Sequence, residues 1–520
     1  MIPPRPGAWA LAILLAGCAH RPPQSADPEP PTPSRLELQR ERAQQEGNDQ
    51  TLETVRLASV ALAEGQRDEA EAALRRAVGK MQDFRAEGQF RAMVGAESSK
   101  EWKGDPFEKM MAFQMLGVLL YQDGDYGNAL AMTKSAILAD TGTSRFQYRA
   151  DFVPAFVLEA LVYDQLNEPQ SAERSLQQAI DAMYVRELTA HLTGLLTDVR
   201  IDVDVRPSAV DAARVLLMEA LPAGLAAHPQ DAREAIDAAL SRATELRGIV
   251  LDGAKKDRPD GLRGLSKSDV RASFDALEPM VVAWRAAAEA HPVDVEADLA
   301  RSARELRTLV SHPPRLLLWV EEGRGPRKVA FGEYREILRY VPRDDASTAP
   351  AIRLGGSDVQ PVYLDSLTYQ ASTRGARWVD GFLAGKAQFK DAAPILGWTL
   401  VASGDIARAV DDDSPVAAVL YLVGALTWVA GALTNPAADV RAWSELPETL
   451  WLVAADPAPG RHRLVVDGRT YEVDVPDRGT VVQWIPSLPP GGAPSFGEPC
   501  SACDAPLALP ERGQPVQETP

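Results

Sequence analysis

Few side chains in this sequence could do chemistry, and they lie far apart. Cys18 follows Leu15-Ala16-Gly17 at the end of a short apolar run and offers a thiol there. Cys500 and Cys503 flank Ser501 and Ala502, a spacing open to a local disulfide, a metal clip or thiol exchange, with the disulfide expected because no flanking helix pattern would activate a thiol. Asp439, Arg441 and Trp443 alternate along one short stretch. They could form an acid–base pair, but a guanidinium forked onto a carboxylate and stacked on an indole is more often structural, and here it is expected to lock an apolar helix to a following sheet. His228, His291 and His312 each precede a proline, which marks them as helix-end residues rather than ligands. Asp411 to Asp413 reads as a solvated turn or cap. The sequence has no His-Glu-x-x-His pair and no Gly-x-Ser-x-Gly elbow, and the polar loop Gly253 to Lys267 lacks the order of a phosphate-binding loop. No catalytic residue, metal or cofactor is therefore expected.

The stretch Leu15 to Cys18 resembles the cleavage box of bacterial lipoprotein signal peptides. Arg5 supplies a sparse basic region, and Ala8 to Ala16 is too short to span a bilayer. The resemblance implies removal of residues 1–17, diacylglycerol on the Cys18 sulfur and a fatty acyl chain such as palmitate on the new amino terminus. Two acyl chains hold a protein on a membrane stably. Ala19, rather than an aspartate, implies sorting to the outer membrane, with the body facing the periplasm. Residues 18–50 read as a tether, since Arg21 to Arg35 is crowded with proline and almost free of apolar side chains.

The 520 residues are enough for several domains, and the apolar fraction is that of a globular protein. A formal net charge of -18 argues against nucleic acid and against electrostatic docking on anionic lipid, leaving the acyl chains as the expected attachment.

The elements that must carry these residues are mostly helical. Phe113, Leu116, Gly117, Leu120, Gly124, Tyr126, Ala129 and Ala136 fit a tetratricopeptide-like helical hairpin, with Gly124 and Asp125 turning the chain. The register recurs at Leu57, Ala58, Ala61, Gly65, Ala70, Leu74 and Ala77, and again at Phe156, Ala160, Tyr163, Asn167, Ala172, Leu176 and Ala179. The expected fold class is mostly α, with TPR-like repeats over 51–185, a helical region over 186–312, and an α+β C-terminal module over 313–486 with a small antiparallel sheet. Strands are expected at 315–320, at 361–369 and in four runs between 446 and 485, with a turn at EEGRGPRK. Apolar helices are placed at 392–434; Pro415 to Thr434, though uncharged, is expected to form a buried or membrane-touching hairpin. Residues 487–520 are expected to be disordered.

These features resemble an uncharacterised family of Gram-negative tetratricopeptide lipoproteins. Gly124, Asp125, Tyr126 and Ala129 match its GDY-x-x-A hairpin, and Ala438, Asp439, Arg441, Trp443, Leu446 and Pro447 match its downstream block. The family has no assigned activity. The expectation is a lipid-anchored, non-catalytic scaffold in the cell envelope, bound to the membrane through its lipid and to another envelope protein through the repeats. The alternatives are an enzyme acting on an envelope polymer and a carrier of a hydrophobic ligand.

Overall fold

The computed structural model describes residues 33–82, 100–141, 151–228, 231–253, 262, 265–292, 295–331, 337–343, 348–374 and 438–488. The fold is mostly α, with helical repeats followed by an α+β module. Cys18, the apolar segment 392–434, Asp411 to Asp413, and Cys500 with Cys503 lie outside the described residues.

Order begins earlier than the expected tether allows, with α1 (Arg35–Gln44). Ser34 and Glu37 start it reciprocally: the Glu37 N–H donates to Ser34 Oγ at 3.2 Å and the Ser34 N–H to Glu37 Oε2 at 2.7 Å. Leu36 is buried, and Gln39 Nε2 donates to the Glu53 carboxylate at 2.8 Å, so α1 belongs to the folded body.

Three hairpins follow: α2 (Gln50–Ala63) with α3 (Arg67–Met81), α4 (Pro106–Gln122) with α5 (Tyr126–Thr141), and α6 (Val153–Gln165) with α7 (Pro169–Asp198). Each turns in the same way. Gly65, Gly124 and Asn167 adopt φ of 71°, 74° and 61°, and the next residue's N–H reaches back into the finished helix: Gln66 to Ala61, Asp125 to Leu120 and Glu168 to Tyr163, at 2.7, 3.0 and 2.8 Å. This is a helix-ending motif built on one left-handed residue, repeated three times. At Gly117 a Cβ would stand 2.9 Å from Leu158 Cδ2 and 3.4 Å from Met132 Cβ, so its missing side chain is what lets α4, α5 and α6 converge.

The first helices of the second and third hairpins are apolar almost all round, and α4 is buried continuously from Met110 to Tyr121. The second helices cover one side and the C-terminal module the other. The module's main sheet has the order β10-β1-β7-β6, from β1 (Leu316–Glu322), β6 (Val362–Ser366), β7 (Thr449–Ala455) and β10 (Val481–Ile485). Leu317, Trp319, Leu450, Leu452 and Trp484 face the hairpins. Leu316, Leu318, Val320, Val453 and Ile485 face a second sheet, β5-β4-β8-β9, from β4 (Ile352–Leu354), β5 (Ser357–Val359), β8 (Gly460–Val466) and β9 (Arg469–Val475). A strand sealed on both faces explains the unbroken apolar run of β1.

Other boundaries move. At 30 residues, α7 runs through the expected junction at 185/186. Its second half joins α8 (Pro207–Ala227), α9 (Ala232–Asp252), α10 (Lys267–Ala272) and α11 (Phe274–Ala290) in a separate core, where the Trp284 indole N–H donates to the Leu192 carbonyl at 2.9 Å. His228 and His291 cap the C-termini of α8 and α11, and His312 follows α12 (Val295–Ser311). The strand expected over 361–369 ends at Ser366, where α13 (Leu367–Arg374) begins. The four C-terminal strands divide between two sheets, and β10 pairs with β1 in parallel while the other strand pairs are antiparallel. The expected turn at EEGRGPRK joins β1 to β2 (Arg327–Phe331), which pairs in turn with β3 (Ile337–Val341).

Two glycines test this packing. At Gly224 in α8 a Cβ would meet the Ala235 carbonyl oxygen of α9 at 2.2 Å, whereas at Gly79 in α3 nothing lies within 4 Å. Gly224→Ala is expected to cost about 2 kcal/mol through overpacking, and Gly79→Ala to gain about 0.5–1 kcal/mol from helix propensity. Urea unfolding followed by circular dichroism measures both.

Candidate functional site

Residues 438–447 form an extended strap, without helix or strand, that lies along α2 and crosses α4. Arg441 forks onto Asp439 through Nε at 2.9 Å and Nη2 at 2.6 Å, as its residue type and spacing suggest. Its remaining donors go elsewhere in the fold: Nη1 to Asp49 Oδ1 at 2.7 Å and Nη2 to the Lys100 carbonyl at 2.9 Å. The expected stack on Trp443 does not form. Trp443 is buried, its backbone N–H donating to Glu108 Oε1 at 2.8 Å and its indole to Ser59 Oγ at 3.0 Å. A different indole, Trp102, approaches the Arg441 carbonyl at 3.4 Å. The block therefore locks the module to the first two hairpins; the apolar helix of the expected junction lies outside the described residues.

Beneath the strap lies a buried ionic cluster that sequence reasoning missed. Lys328 of β2 places Nζ 2.6 Å from both Asp105 Oδ2 and Glu108 Oε2, and all three side chains are at most 4 % exposed. Tyr340 of β3 donates to Asp105 Oδ2 at 3.0 Å, and its ring meets Phe107 edge-on at 5.4 Å. The Asp105 N–H donates to Glu108 Oε2 at 2.7 Å, which starts α4. Burial alone would discharge Lys328, but the two carboxylates reverse this and hold its ammonium above the usual lysine range. The Asp-x-x-Glu helix-start pattern at 105–108 was legible. Nothing in the sequence near Lys328 announces its partners, because they come from more than two hundred positions away.

A second buried junction ties the third hairpin to the sheet edge. Asp365 of β6 accepts the Val153 N–H at the start of α6 at 3.2 Å and Gln370 Nε2 at 3.1 Å. Arg186 of α7 stands 3.6 Å from Asp365, donates to the Leu364 carbonyl at 2.5 Å and lies over the Tyr363 ring. Burial pushes the Asp365 carboxyl up to about 7 against the pull of Arg186. Glu321 of β1 is likewise raised to about 7 by burial, although Trp484 Nε1 and the Ser487 N–H donate to it at 3.1 and 3.0 Å.

No His/Cys/Asp/Glu group suited to a metal ion occurs among the described residues, and none of their helices is long and apolar enough to cross a membrane. Comparison with protein-family models, with curated proteins and with solved structures found no match.

Removing one partner from the buried cluster leaves uncompensated charge, so Lys328→Met is expected to cost about 3–5 kcal/mol, read from urea midpoints. Glu321 has a folded-state pKa above its unfolded value, so its contribution is complete at low pH and lost as pH rises towards 7. Stability of the wild type should therefore carry a falling component between pH 5 and 7 of up to about 1.4 kcal/mol per unit. Glu321→Gln removes that component, and urea titrations at several pH values measure the difference.

Proposed function

We propose that this protein is a lipid-anchored, periplasm-facing lipoprotein of the outer membrane that serves as a non-catalytic scaffold for another envelope protein. The resemblance of Leu15 to Cys18 to a lipoprotein box supports the anchor, and the repeated hairpins support the scaffold. The resemblance to the tetratricopeptide lipoproteins belongs to the same reading.

The observation that carries it is how the conspicuous polar residues are used. Asp439 and Arg441 are 12 % and 17 % exposed, and their hydrogen bonds go to each other and to the strap's bed on the hairpins. Asp105 and Glu108 converge on Lys328 under Trp443 and Tyr340. Groups spent in this way build a rigid body rather than receive a substrate. Because the module covers the apolar flanks of α2, α4 and α6, a partner meets the outer sides of α3, α5 and α7, where Ala72, Ala131 and Gln177 are exposed.

Metabolic labelling with palmitate tests the anchor: label and membrane fractionation are expected for the wild type and lost in Cys18→Ser. Proximity labelling in intact envelopes tests the scaffold. A specific neighbour is expected with the wild type and lost in Ala72→Glu/Ala131→Glu, whereas no reproducible neighbour in envelopes that retain other complexes contradicts the reading.

A further inference from the structure

The turn between β1 and β2 carries an unbalanced charge. Gly325 donates its N–H to the Leu446 carbonyl at 2.7 Å, and its own carbonyl accepts Arg343 Nε at 2.9 Å. Arg324 and Arg327 flank this point and are exposed. Next to Leu446, Glu445 is met by Arg56 Nε at 3.4 Å, and Arg56 is itself pinned to the Ala442 carbonyl at 2.8 Å. Arg35, the first residue of α1, also feels Glu445, together with Glu64. Arg343 is held below the usual arginine range by burial and then by repulsion from Arg324 and Arg327, with Glu445 opposing. Arg56 thus pairs with Glu445, while Arg324, Arg327 and Arg343 gather about Gly325 beside it, and Arg35, Arg324, Arg327 and Arg343 make no ion pair among the described residues. Asp344 and Asp345, next in the chain, lie outside those residues. Mutual repulsion of this kind, in a chain of net charge -18, is relieved by an anionic partner.

We propose that Arg35, Arg324, Arg327 and Arg343 form a face that binds the phosphate groups of anionic phospholipids at the membrane carrying the anchor. The choice of occupant rests on the lipoprotein reading above. Residues 19–34 join Cys18 to Arg35, and an extended segment of that length at about 3.1 Å per residue reaches roughly 50 Å. Arg35 therefore stands where the tether enters the fold and is the member of this face closest to the anchor along the chain. Net charge argues against lipid docking, but a Debye length of about 8 Å makes the local field decide.

The test uses the mature chain from position 18 with Cys18→Ser, so that neither acylation nor the signal segment plays a part, and vesicles of phosphatidylcholine with or without 30 % phosphatidylglycerol at about 0.15 M salt. Binding to the anionic vesicles only is expected, weakened roughly thirtyfold in Arg324→Gln/Arg327→Gln. The control Arg461→Gln/Arg463→Gln, which removes the same charge from exposed positions on β8, should change binding little. The single variants Arg324→Gln and Arg327→Gln, each weakened by roughly fivefold, carry the same test if the double variant unfolds. No binding, or equal loss in variant and control, overturns the proposal. Displacement by millimolar inorganic phosphate at constant ionic strength overturns the headgroup assignment in favour of free phosphate. Palmitate labelling of the wild type is scored separately, so an unlabelled Cys18 removes the anchor without altering the vesicle result.

Discussion

Lys328 is held 2.6 Å from both Asp105 and Glu108 in a place where water does not reach, and most of the molecule is arranged around keeping it there. The carboxylates come from the start of α4, the ammonium from β2, a further donor from Tyr340 on β3, and the lid from the strap through the Trp443 N–H. A buried charge of either sign alone would be strongly unfavourable, whereas the set with its hydrogen bonds satisfied is tolerable. The cluster thus admits one relative placement of hairpins, β2–β3 and strap, which supplies specificity more than net stability.

Apolar layering enforces the same arrangement. The first helices of the second and third hairpins have almost no polar face to show to water, and β1 is apolar on both sides. Each needs the other: the hairpins cover one face of the main sheet, and the second sheet covers the opposite face. Repeats and module are consequently one body rather than beads on a string, with the second helices of the hairpins on its outer side. That division suits a scaffold, whose geometry must survive binding.

Local chemistry was the legible part. The left-handed turns at Gly65, Gly124 and Asn167, the capping histidines and the four C-terminal strand runs could be read because each depends on neighbouring residues. The Ser34–Glu37 start of α1 was also local, but the proline-rich composition before it obscured the signal. Pairing was not legible. That β10 lies parallel to β1, that Arg441 reaches Asp49, and that Lys328 finds Asp105 are decided by chain segments far apart in sequence. Trp443 shows the difference well: its type suggested a stack with Arg441, yet the position of Ser59 on α2 determines where the indole points. Net charge is silent for a similar reason, because an average over the chain does not show where arginines such as Arg324, Arg327 and Arg343 collect.

The claim that hairpins and module are one cooperative body is tested most directly by native-state hydrogen exchange read by mass spectrometry across a urea series below the unfolding transition. The account predicts that amides of α2, α4, β1 and β7 merge onto a single opening free energy, since no layer can leave without exposing the others and uncovering Lys328. Opening of β1 and β7 at clearly lower urea than α4, with α4 still protected, would contradict it.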